Sequence, residues 1–455
     1  MAGPQIGQRD EFHFTRRDIQ RRLDELALAL PIEQVATLAD NLNAMGPRRL
    51  PTMWEVVLLH GFAGAGAVKH EDPLPSGKQP DIALQLDDGA SRKLIADVAT
   101  VSDAGLDEAN PVERLSEELT RLARKAGLDP NCFGYDVRGD YFGAYGDRKP
   151  KLFLPKPGQL QLVMKSKVEP WIEGLAPDAP SSLAVDENGA TFKVTYTPGQ
   201  RFATGSHMSY DGAYSRDRNP LFNALKGKLD QLRGAAAEDI RMLIACEGDC
   251  ALLRGTPMAG VHGSYTARDV AVDFLRQNSS VDFVLLVGME EGAFFPGRTR
   301  RLALAPELIA SAQNIKSGRL TDTVLKSIGD VCQIALDRLP KPVLEAYNAM
   351  RRLRESVIGQ DGIGGFERGG WKVKLSRRAV QRLFAGEIDA KTFAEAHDWD
   401  VRHPNPFKQA LAAGRLIDEI KVVPRENKDD DWLEFSFAPP DAAAGPFRAP
   451  ESKSE

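Results

Sequence analysis

Three acidic residues near the start of the chain have the types and spacing of a divalent-cation site. Glu55 lies in the apolar stretch "TMWEVVLLHGF", Asp81 opens "DIALQL", and Asp97 stands in the middle of "KLIADVATV". Mg²⁺ takes hard oxygen ligands and lowers the pKa of a bound water, so converging carboxylates suit metal-dependent cleavage of phosphodiesters. We expect Asp81 and Asp97 to bind Mg²⁺ or Mn²⁺ with help from Glu55. The backbone carbonyl of Val98 is a further candidate ligand.

The elements that must position these acids follow one another over residues 51–128. The pattern predicts a helix, three strands and a second helix, with "DDG" at residues 87–89 as a hairpin turn between the last two strands. An acid that opens one strand and an acid inside the next can then lie side by side. A lone Asp inside a buried strand is unfavourable unless it is paired or bound to metal, which makes Asp97 the most informative residue of the sequence.

Each acid also has an ordinary structural interpretation. Glu55 is compatible with the polar face of a helix, and Asp81 with a cap on the turn after Pro80. Asp97 is compatible with a pairing to a buried Arg or Lys.

The acid on the first helix, the "PD" that opens a strand and the acid in the following strand resemble the PD-(D/E)XK nuclease superfamily. The resemblance covers residues 50–128, and extends to about 255 if the later strands and helices join the same sheet. It implies an α/β fold: a restriction-endonuclease-like mixed sheet flanked by helices. The sequence departs from the family pattern at Ala99, where the family has a lysine that orients the attacking water and stabilises developing charge.

Another cation must replace that lysine if the site is active. Lys69 and Glu71 in "AVKHE" alternate, which predicts that both point at the site from a neighbouring strand. Lys226 and Lys228 in "ALKGKLDQL" are predicted on a later helix and are the other candidates. We rank Lys69 ahead of Lys226 and Lys228.

A different enzyme class remains open for "WEVVLLHGFAGAGAV" at residues 54–68. Interpreted as a strand that runs into "HGFAG", this stretch resembles the oxyanion-hole turn of an α/β-hydrolase. The chain contains no G-x-S-x-G that would supply the nucleophile, so the hydrolase is the third hypothesis. The first is the nuclease. The second is a catalytically silent, nuclease-fold subunit of a nucleic-acid-processing complex, which Ala99 favours.

Periodicity and composition predict four regions along the chain. They are an N-terminal helical hairpin at 1–48, a PD-(D/E)XK-like α/β core at 49–295 with an inserted β-rich segment at about 130–205, a mostly helical and basic C-terminal region at 296–438, and a disordered tail at 439–455.

The bulk composition excludes several classes without selecting one. The 455 residues include 42% hydrophobic and 27% charged residues, which excludes a disordered or fibrous chain. The net charge of −5 gives no overall basic footprint for nucleic acid. Four scattered cysteines do not make a disulfide framework, and "CEGDC" at 246–250 lacks a second ligand pair for zinc. With no signal pattern and no apolar run of about 20 residues, we expect a cytoplasmic protein without membrane contact.

These observations together predict a Mg²⁺-dependent endonuclease that acts on DNA, with a role in bacterial antiphage defence or restriction that the resemblance implies. The chain has no Walker-type phosphate loop, so any nucleotide-driven step needs a protein partner such as an ATPase or another defence subunit. A homo-oligomer is the alternative assembly. The basic stretch "GGWKVKLSRRAVQRLF" around Trp371 is expected either to grip a nucleic-acid backbone or to dock a partner.

Overall fold

The computed structural model describes residues 13–44, 48–86, 92–143, 149–208, 210, 216–217, 219–254, 265–291, 302–342, 366–386, 389–396, 399, 404–425 and 430–441. Contacts within the chain divide it into two compact units. The terminal unit combines residues 1–28, 35–57 and 339–455, and the central unit combines residues 29–34 and 58–338. These units differ from the predicted boundaries, because the N-terminal helices group with the C-terminal region and the central unit continues past 295 to 338.

The helices in chain order are α1 (Arg16–Leu26), α2 (Ile32–Asn43), α3 (Arg49–Ala63), α4 (Ala104–Ala109), α5 (Val112–Lys125), α6 (Pro157–Val163), α7 (Glu169–Glu173), α8 (Pro220–Lys228), α9 (Ala267–Gln277), α10 (Ala312–Lys316), α11 (Asp322–Asp337), α12 (Arg377–Phe384), α13 (Ala390–Ala396) and α14 (Pro406–Ala412). The strands are β1 (Val68–Lys69), β2 (Ile82–Gln85), β3 (Lys93–Val101), β4 (Phe133–Val137), β5 (Gly139–Phe142), β6 (Lys149–Leu152), β7 (Ser181–Glu187), β8 (Ala190–Tyr196), β9 (Thr204–His207), β10 (Ile240–Glu247), β11 (Phe283–Glu291), β12 (Leu302–Ala310), β13 (Phe366–Gly369), β14 (Lys372–Ser376), β15 (Ile417–Val423) and β16 (Trp432–Phe437). The described chain is therefore a mixed α/β protein.

A six-stranded mixed sheet is the centre of the central unit, in the order β1-β2-β3-β10-β11-β12. Strands β1, β2 and β3 form an antiparallel meander, whereas β3, β10 and β11 run parallel to one another. Strand β12 closes the far edge in antiparallel orientation. The predicted "DDG" turn between β2 and β3 lies outside the described residues, although the two strands pair as a hairpin would.

The central strands are apolar because both faces of the sheet are covered. Strand β10 is buried at every position except Arg241. Helices α8 and α9 pack on the face that carries Ile95, Leu243 and Val284, and their own apolar residues complete that core. A near-continuous apolar run is the pattern expected of a strand buried on both sides.

The buried carboxylate of Asp282, just before strand β11, links the start of strand β10 to helix α10 and the loop that follows it. Asp282 is fully buried, and Arg319 donates to both of its oxygens at 2.7 Å. The backbone N–H of Arg241 and the side-chain amide of Asn314 donate to the same carboxylate at 3.0 and 2.9 Å. Four donors to one buried carboxylate compensate its loss of hydration.

Replacing Asp282 with Ala is expected to destabilise the central unit by about 3–5 kcal/mol, because Arg319 loses its counter-charge and the donors of Arg241 and Asn314 lose their acceptor. Urea denaturation followed by circular dichroism measures the loss. The matched control is Asp230→Asn, since Asp230 is half-exposed and pairs only with Arg233 in the described contacts. The control should change the unfolding free energy by less than about 0.5 kcal/mol.

Residues 130–207 form sheets of their own within the central unit. One has four strands in the order β7-β8-β4-β9, and the other is the β5-β6 hairpin. Helix α5 packs on this region through Leu115, Leu119 and Leu122. A π-helical turn at Met164–Val168 joins α6 to α7. The strands are inserted between β3 and β10, so neighbours in the main sheet are far apart in sequence.

The sequence predicted a mostly helical C-terminal region, but in its described residues strands alternate with helices. Its last part forms a four-stranded sheet in the order β13-β14-β16-β15, and β12 belongs to the main sheet. The stretch "GGWKVKLSRRAVQRLF" is strand β14 followed by helix α12 instead of one helix. Aromatic packing explains the sheet, because Phe407 lies edge-on to both Phe435 and Phe437 with centroids 5.2 and 5.5 Å apart. Long-range burial of this kind overrides local helix propensity.

Residues 49–63 form a single helix, so the oxyanion-turn interpretation of "HGFAG" was wrong for this stretch. Helix α3 includes His60, Gly61 and Phe62 and ends at Ala63. Gly61 lies against helix α11, where an added Cβ would stand 2.6 Å from the carbonyl oxygen of Ala335. The glycine therefore permits a close approach of two helices, and no strand leads into it. No helix of the described residues is long and apolar enough to cross a membrane.

Candidate functional site

Asp81 and Asp97 lie beside each other where strands β2 and β3 meet. The antiparallel register pairs Ile82 with Ala96, so one further step places Asp81 opposite Asp97. Pro80 has no backbone N–H and cannot extend the ladder, which ends here. The Asp81 carboxylate instead accepts the backbone N–H of Val98 at 2.7 Å. The Asp81 side chain thus accepts a backbone hydrogen bond from β3 at the point where main-chain pairing between β2 and β3 ends.

Lys228 joins this pair from a different element. Its ammonium lies 2.6 Å from Oδ1 of Asp97 and 3.7 Å from Oδ2 of Asp81. Lys228 is the last residue of α8, where a cation also interacts favourably with the helix dipole. Leu221 and Leu225 anchor that helix in the core, and their spacing places residue 228 on the same side. Two carboxylates and one ammonium therefore converge at one point of the sheet.

Burial gives Asp97 an unusual titration. Its side chain is fully enclosed, and this loss of hydration raises its pKa from 3.8 to about 7. The nearby carboxylate of Asp81 contributes to this rise in the pKa of Asp97, while the ammonium of Lys228 acts in the opposite direction. The site therefore holds a proton close to neutral pH and can release it when a cation approaches.

The raised pKa predicts how stability depends on pH when no metal is present. Between pH 3.8 and about 7 the unfolded chain has lost the Asp97 proton and the folded chain still holds it, so stability falls as pH rises through this window. Asp97→Asn cannot titrate and should lose this dependence. The difference in unfolding free energy between wild type and variant should change by roughly 4 kcal/mol from pH 4 to pH 8. Urea titrations in EDTA at several pH values measure it, and parallel curves for the two proteins would contradict the assignment.

The other predicted metal ligands have a different placement. Glu55 is half-buried on α3, within the part of that helix that groups with the terminal unit, whereas the two aspartates belong to the central unit. Val98 follows Asp97 on β3, and its N–H is the backbone group that contacts Asp81. The structure brings the side chains of Asp81 and Asp97 together, with the ammonium of Lys228 beside them.

Lys69, Glu71 and Lys226 have no described contact with the aspartates. Lys69 is exposed and pairs with Asp72 at 3.4 Å. Glu71 is exposed and adopts a left-handed backbone conformation with φ of 51°, because β1 has already ended at Lys69. Lys69 and Glu71 therefore do not alternate along one strand, as would be needed for both side chains to point at the aspartates. Lys226 is exposed on α8, two residues before Lys228 and off the buried side of the helix.

The ranking that placed Lys69 first therefore does not agree with the geometry. A usable signal was present in "PLFNALKGK", since Leu221, Leu225 and Lys228 repeat at intervals of four and three while Lys226 breaks the repeat. That repeat indicates which lysine of the helix faces the sheet.

Ala99 occupies the position where the resembled family carries lysine. It is buried two residues beyond Asp97 on the same strand, so the two side chains point to the same face. Its parallel neighbour on β10 is Ala245. Two small side chains therefore lie next to the acids. The cation of the site, Lys228, belongs to helix α8 and not to strand β3.

The donor set is partly suited to a divalent cation. Oδ2 of Asp97 is buried and accepts no hydrogen bond from any described donor, and the Asp81 carboxylate is beside it. Hard oxygens of this kind are the ligands that Mg²⁺ takes. Within the described residues, no group of three or more His, Cys, Asp or Glu side chains is arranged to hold a metal ion. Among the described residues, the site thus offers the two carboxylates of Asp81 and Asp97.

A second polar cluster, which the sequence did not single out, ties the loops after β3 and β10. Oε1 of the buried Glu247 accepts the backbone N–H of Asp249 at 2.7 Å and Nε of Arg254 at 2.8 Å. Asp103 accepts the backbone N–H of Ala251 at 2.8 Å, and burial raises the pKa of Asp103 to about 6. These bonds hold the two loops together at the carboxyl ends of two parallel strands.

All four cysteines are free and buried. Burial raises the pKa of the Cys246 and Cys250 thiols well above the usual value, so both stay protonated. The "CEGDC" motif therefore holds two unreactive thiols in the core.

The basic stretch around Trp371 is already engaged within the chain. The guanidinium of Arg415 stacks on the Trp371 ring at 4.2 Å from its centroid. Lys372 pairs with Glu434 at 3.0 Å, and Arg377 approaches Asp431 at 3.7 Å. These pairs reduce the positive charge that the stretch can offer to a phosphate backbone.

Comparisons with family models, with curated proteins and with solved structures were made for the whole chain. None of the three found a match, so what this chain does must be argued from the Asp81, Asp97 and Lys228 site itself.

Proposed function

We propose that this chain is a metal-dependent nuclease that hydrolyses phosphodiester bonds, with DNA as its substrate. One observation carries the proposal. The ammonium of Lys228 contacts the carboxylates of Asp81 and Asp97, although it is 131 positions from Asp97 in the sequence. Two acids can hold a divalent cation, and a lysine can stabilise the charge that develops during hydrolysis of a phosphodiester.

The topology around the site supports the proposal. Helix α3 precedes an antiparallel meander of three strands, and helix α8 leads into β10, which runs parallel to β3. This order agrees with the restriction-endonuclease-like core that the resemblance implies. Asp81 directly precedes β2 and Asp97 lies inside β3. These positions support the proposal, because they are the ones at which the resemblance implies acids.

The proposed mechanism assigns a task to each residue. Asp81 and Asp97 would hold the cation. Bound Mg²⁺ would lower the pKa of a water molecule and withdraw charge from the phosphate. Asp97 must give up its proton for this task, and its pKa of about 7 allows that near neutral pH. With both carboxylates engaged on a cation, the Lys228 ammonium would stabilise charge on a phosphate oxygen or orient the attacking water.

The second hypothesis, a catalytically silent subunit, also has an observation in its favour. The contact of 2.6 Å with the Lys228 ammonium gives the buried Asp97 a polar partner and accounts for this acid without metal. Under this hypothesis the pair stabilises the fold, and Ala99 marks the lost catalytic position. The two hypotheses differ in whether the acids bind a cation.

Two measurements on the full-length chain separate the hypotheses. Isothermal titration with Mn²⁺ should detect binding by the wild type that is lost in the Asp81→Asn, Asp97→Asn double variant. Labelled single-stranded DNA, duplex DNA and RNA should be incubated with Mg²⁺, with Mn²⁺ or with EDTA. We expect cleavage of DNA only when metal is present. Absence of cleavage on every substrate, or equal cleavage in EDTA, contradicts the nuclease.

The biological setting rests on the resemblance alone. Nucleases with attached helical segments resemble components of bacterial restriction and antiphage systems. We therefore propose a defence role with a protein partner, such as an ATPase. Affinity purification of the tagged chain from the cells that produce it naturally, followed by mass spectrometry of the proteins that co-purify, tests for such a partner.

A further inference from the structure

Strand β15 (Ile417–Val423) is the last strand of the sheet β13-β14-β16-β15 in the terminal unit. One edge pairs with β16, and no described strand pairs with the other. An edge of this kind presents free N–H and C=O groups to another chain. The strand is exposed at every residue from Ile417 to Val422.

This edge carries apolar side chains that the sheet's own core does not cover. Ile420 pairs with Phe435, a buried residue of that core, so both side chains lie on the same face of the sheet. Ile420 is nevertheless 54% exposed, and Val422 on the same face is 49% exposed. Apolar side chains that continue a core face at an open edge indicate a surface that another strand covers.

The charges of the strand fit a second copy of itself. Glu419 and Lys421 flank Ile420 and lie on the opposite face of the sheet, 2.7 Å apart within one chain. If two copies of β15 pair antiparallel about a two-fold axis at Ile420, Glu419 of each copy faces Lys421 of the other. The same axis places Ile420 against Ile420 on the apolar face. A self-complementary pattern is what a two-fold interface requires.

We propose that two copies of this chain associate through β15, joining their four-stranded sheets into one continuous eight-stranded sheet with Ile420 on the two-fold axis. The irregularity of β15 between Ile417 and Glu419 lies outside the central pairs, which are regular from Glu419 onwards. Strand addition at a sheet edge supplies main-chain hydrogen bonds, and the Ile420 contact and the two charge pairs supply the register.

Charge reversal tests the interface. Sedimentation equilibrium of the wild type should show a concentration-dependent rise from 49.8 kDa toward twice that mass. Glu419→Lys alone and Lys421→Glu alone each place like charges opposite one another twice, and should weaken association by about ten-fold or more. The double variant Glu419→Lys, Lys421→Glu should restore it, because the pairs return with reversed sign. A double variant no better than the singles contradicts the two-fold register.

Cross-linking tests the axis directly. Ile420→Cys should form an intermolecular disulfide under mild oxidation, since directly opposed strand residues lie within disulfide reach. The four natural cysteines are buried and do not compete. Glu419→Cys should cross-link far less, because its opposite residue is Lys421. Equal cross-linking at both positions contradicts the proposal.

Controls separate this edge from general apolar association. Ile420→Lys should leave the chain monomeric, whereas Leu162→Lys, at a 67% exposed residue of α6, should leave association unchanged. Circular dichroism confirms that each variant is folded. A wild type that is monomeric at all concentrations, or a dimer that survives Ile420→Lys, overturns the proposal without bearing on the nuclease site.

Discussion

Replacing Asp97 with Asn is expected to reduce metal-dependent cleavage by at least about a thousand-fold. Asp97 is the most deeply buried acid of the site, and an amide keeps its shape while losing the charge that holds a cation. Loss of several kcal/mol of charge stabilisation in the transition state corresponds to this factor. Single-turnover cleavage of labelled duplex DNA in Mg²⁺ measures it.

The matched control for this change is Asp230→Asn, which alters an exposed Asp two residues after Lys228. It should cleave at the wild-type rate. Circular dichroism must show that Asp97→Asn is folded, and we expect it to be, because folding already favours the neutral form of this side chain up to about pH 7. Cleavage by Asp97→Asn within ten-fold of the wild type would place the active site elsewhere.

Replacing Lys228 with Met is expected to lower the cleavage rate by about a hundred- to a thousand-fold with little change in substrate affinity. A group that stabilises charge only in the transition state affects the chemical step, and its removal has this magnitude in other active sites. Methionine keeps the apolar part of the side chain, so α8 should remain packed. Rates at saturating and at limiting DNA concentration separate the two effects.

Two further lysines serve as controls for Lys228. Lys226→Met changes the exposed lysine one half-turn earlier on the same helix, and Lys69→Met changes the lysine that pairs with Asp72. Both were candidates for the missing family lysine, and both variants should cleave within about two-fold of the wild type if they contribute only surface charge. A large loss in Lys69→Met and none in Lys228→Met would reverse the assignment drawn from the geometry.

The Lys228→Met variant also distinguishes a catalytic site from a structural ion pair. Without the ammonium, the pKa of Asp97 should rise further, because Lys228 is the group that lowers it. The loss of stability between pH 5 and pH 8 should therefore be larger in this variant than in the wild type. A silent subunit would show this stability effect alone, whereas a nuclease would show it together with the loss of cleavage.

The pair of aspartates could be predicted from the sequence because its geometry is local. Pro80 ends a ladder, "PDIAL" and "LIADVAT" are strands of opposite direction, and only a few residues separate them, so Asp81 and Asp97 have to meet. Helix α3 was predictable for the same reason, since its apolar repeat runs without a break to the glycines.

Other features depended on contacts between distant residues. The C-terminal sheet forms because aromatic residues such as Phe407 and Phe435 pack across a separation that local propensity does not register. Strand β12 likewise joins the main sheet from beyond the predicted boundary of the core.

The lysine of the site illustrates both cases. The sequence supplied the candidates, and contacts between distant elements selected one of them. From the sequence alone, Ala99 stands where the PD-(D/E)XK resemblance would have a lysine, and Lys69, Lys226 and Lys228 were the candidates to replace it. Only the tertiary structure decided for Lys228, because β3 and β10 are neighbours in the sheet and α8 packs across both. An alternating strand pattern reports which face a residue takes, but a contact between elements more than 100 residues apart depends on how the whole sheet assembles.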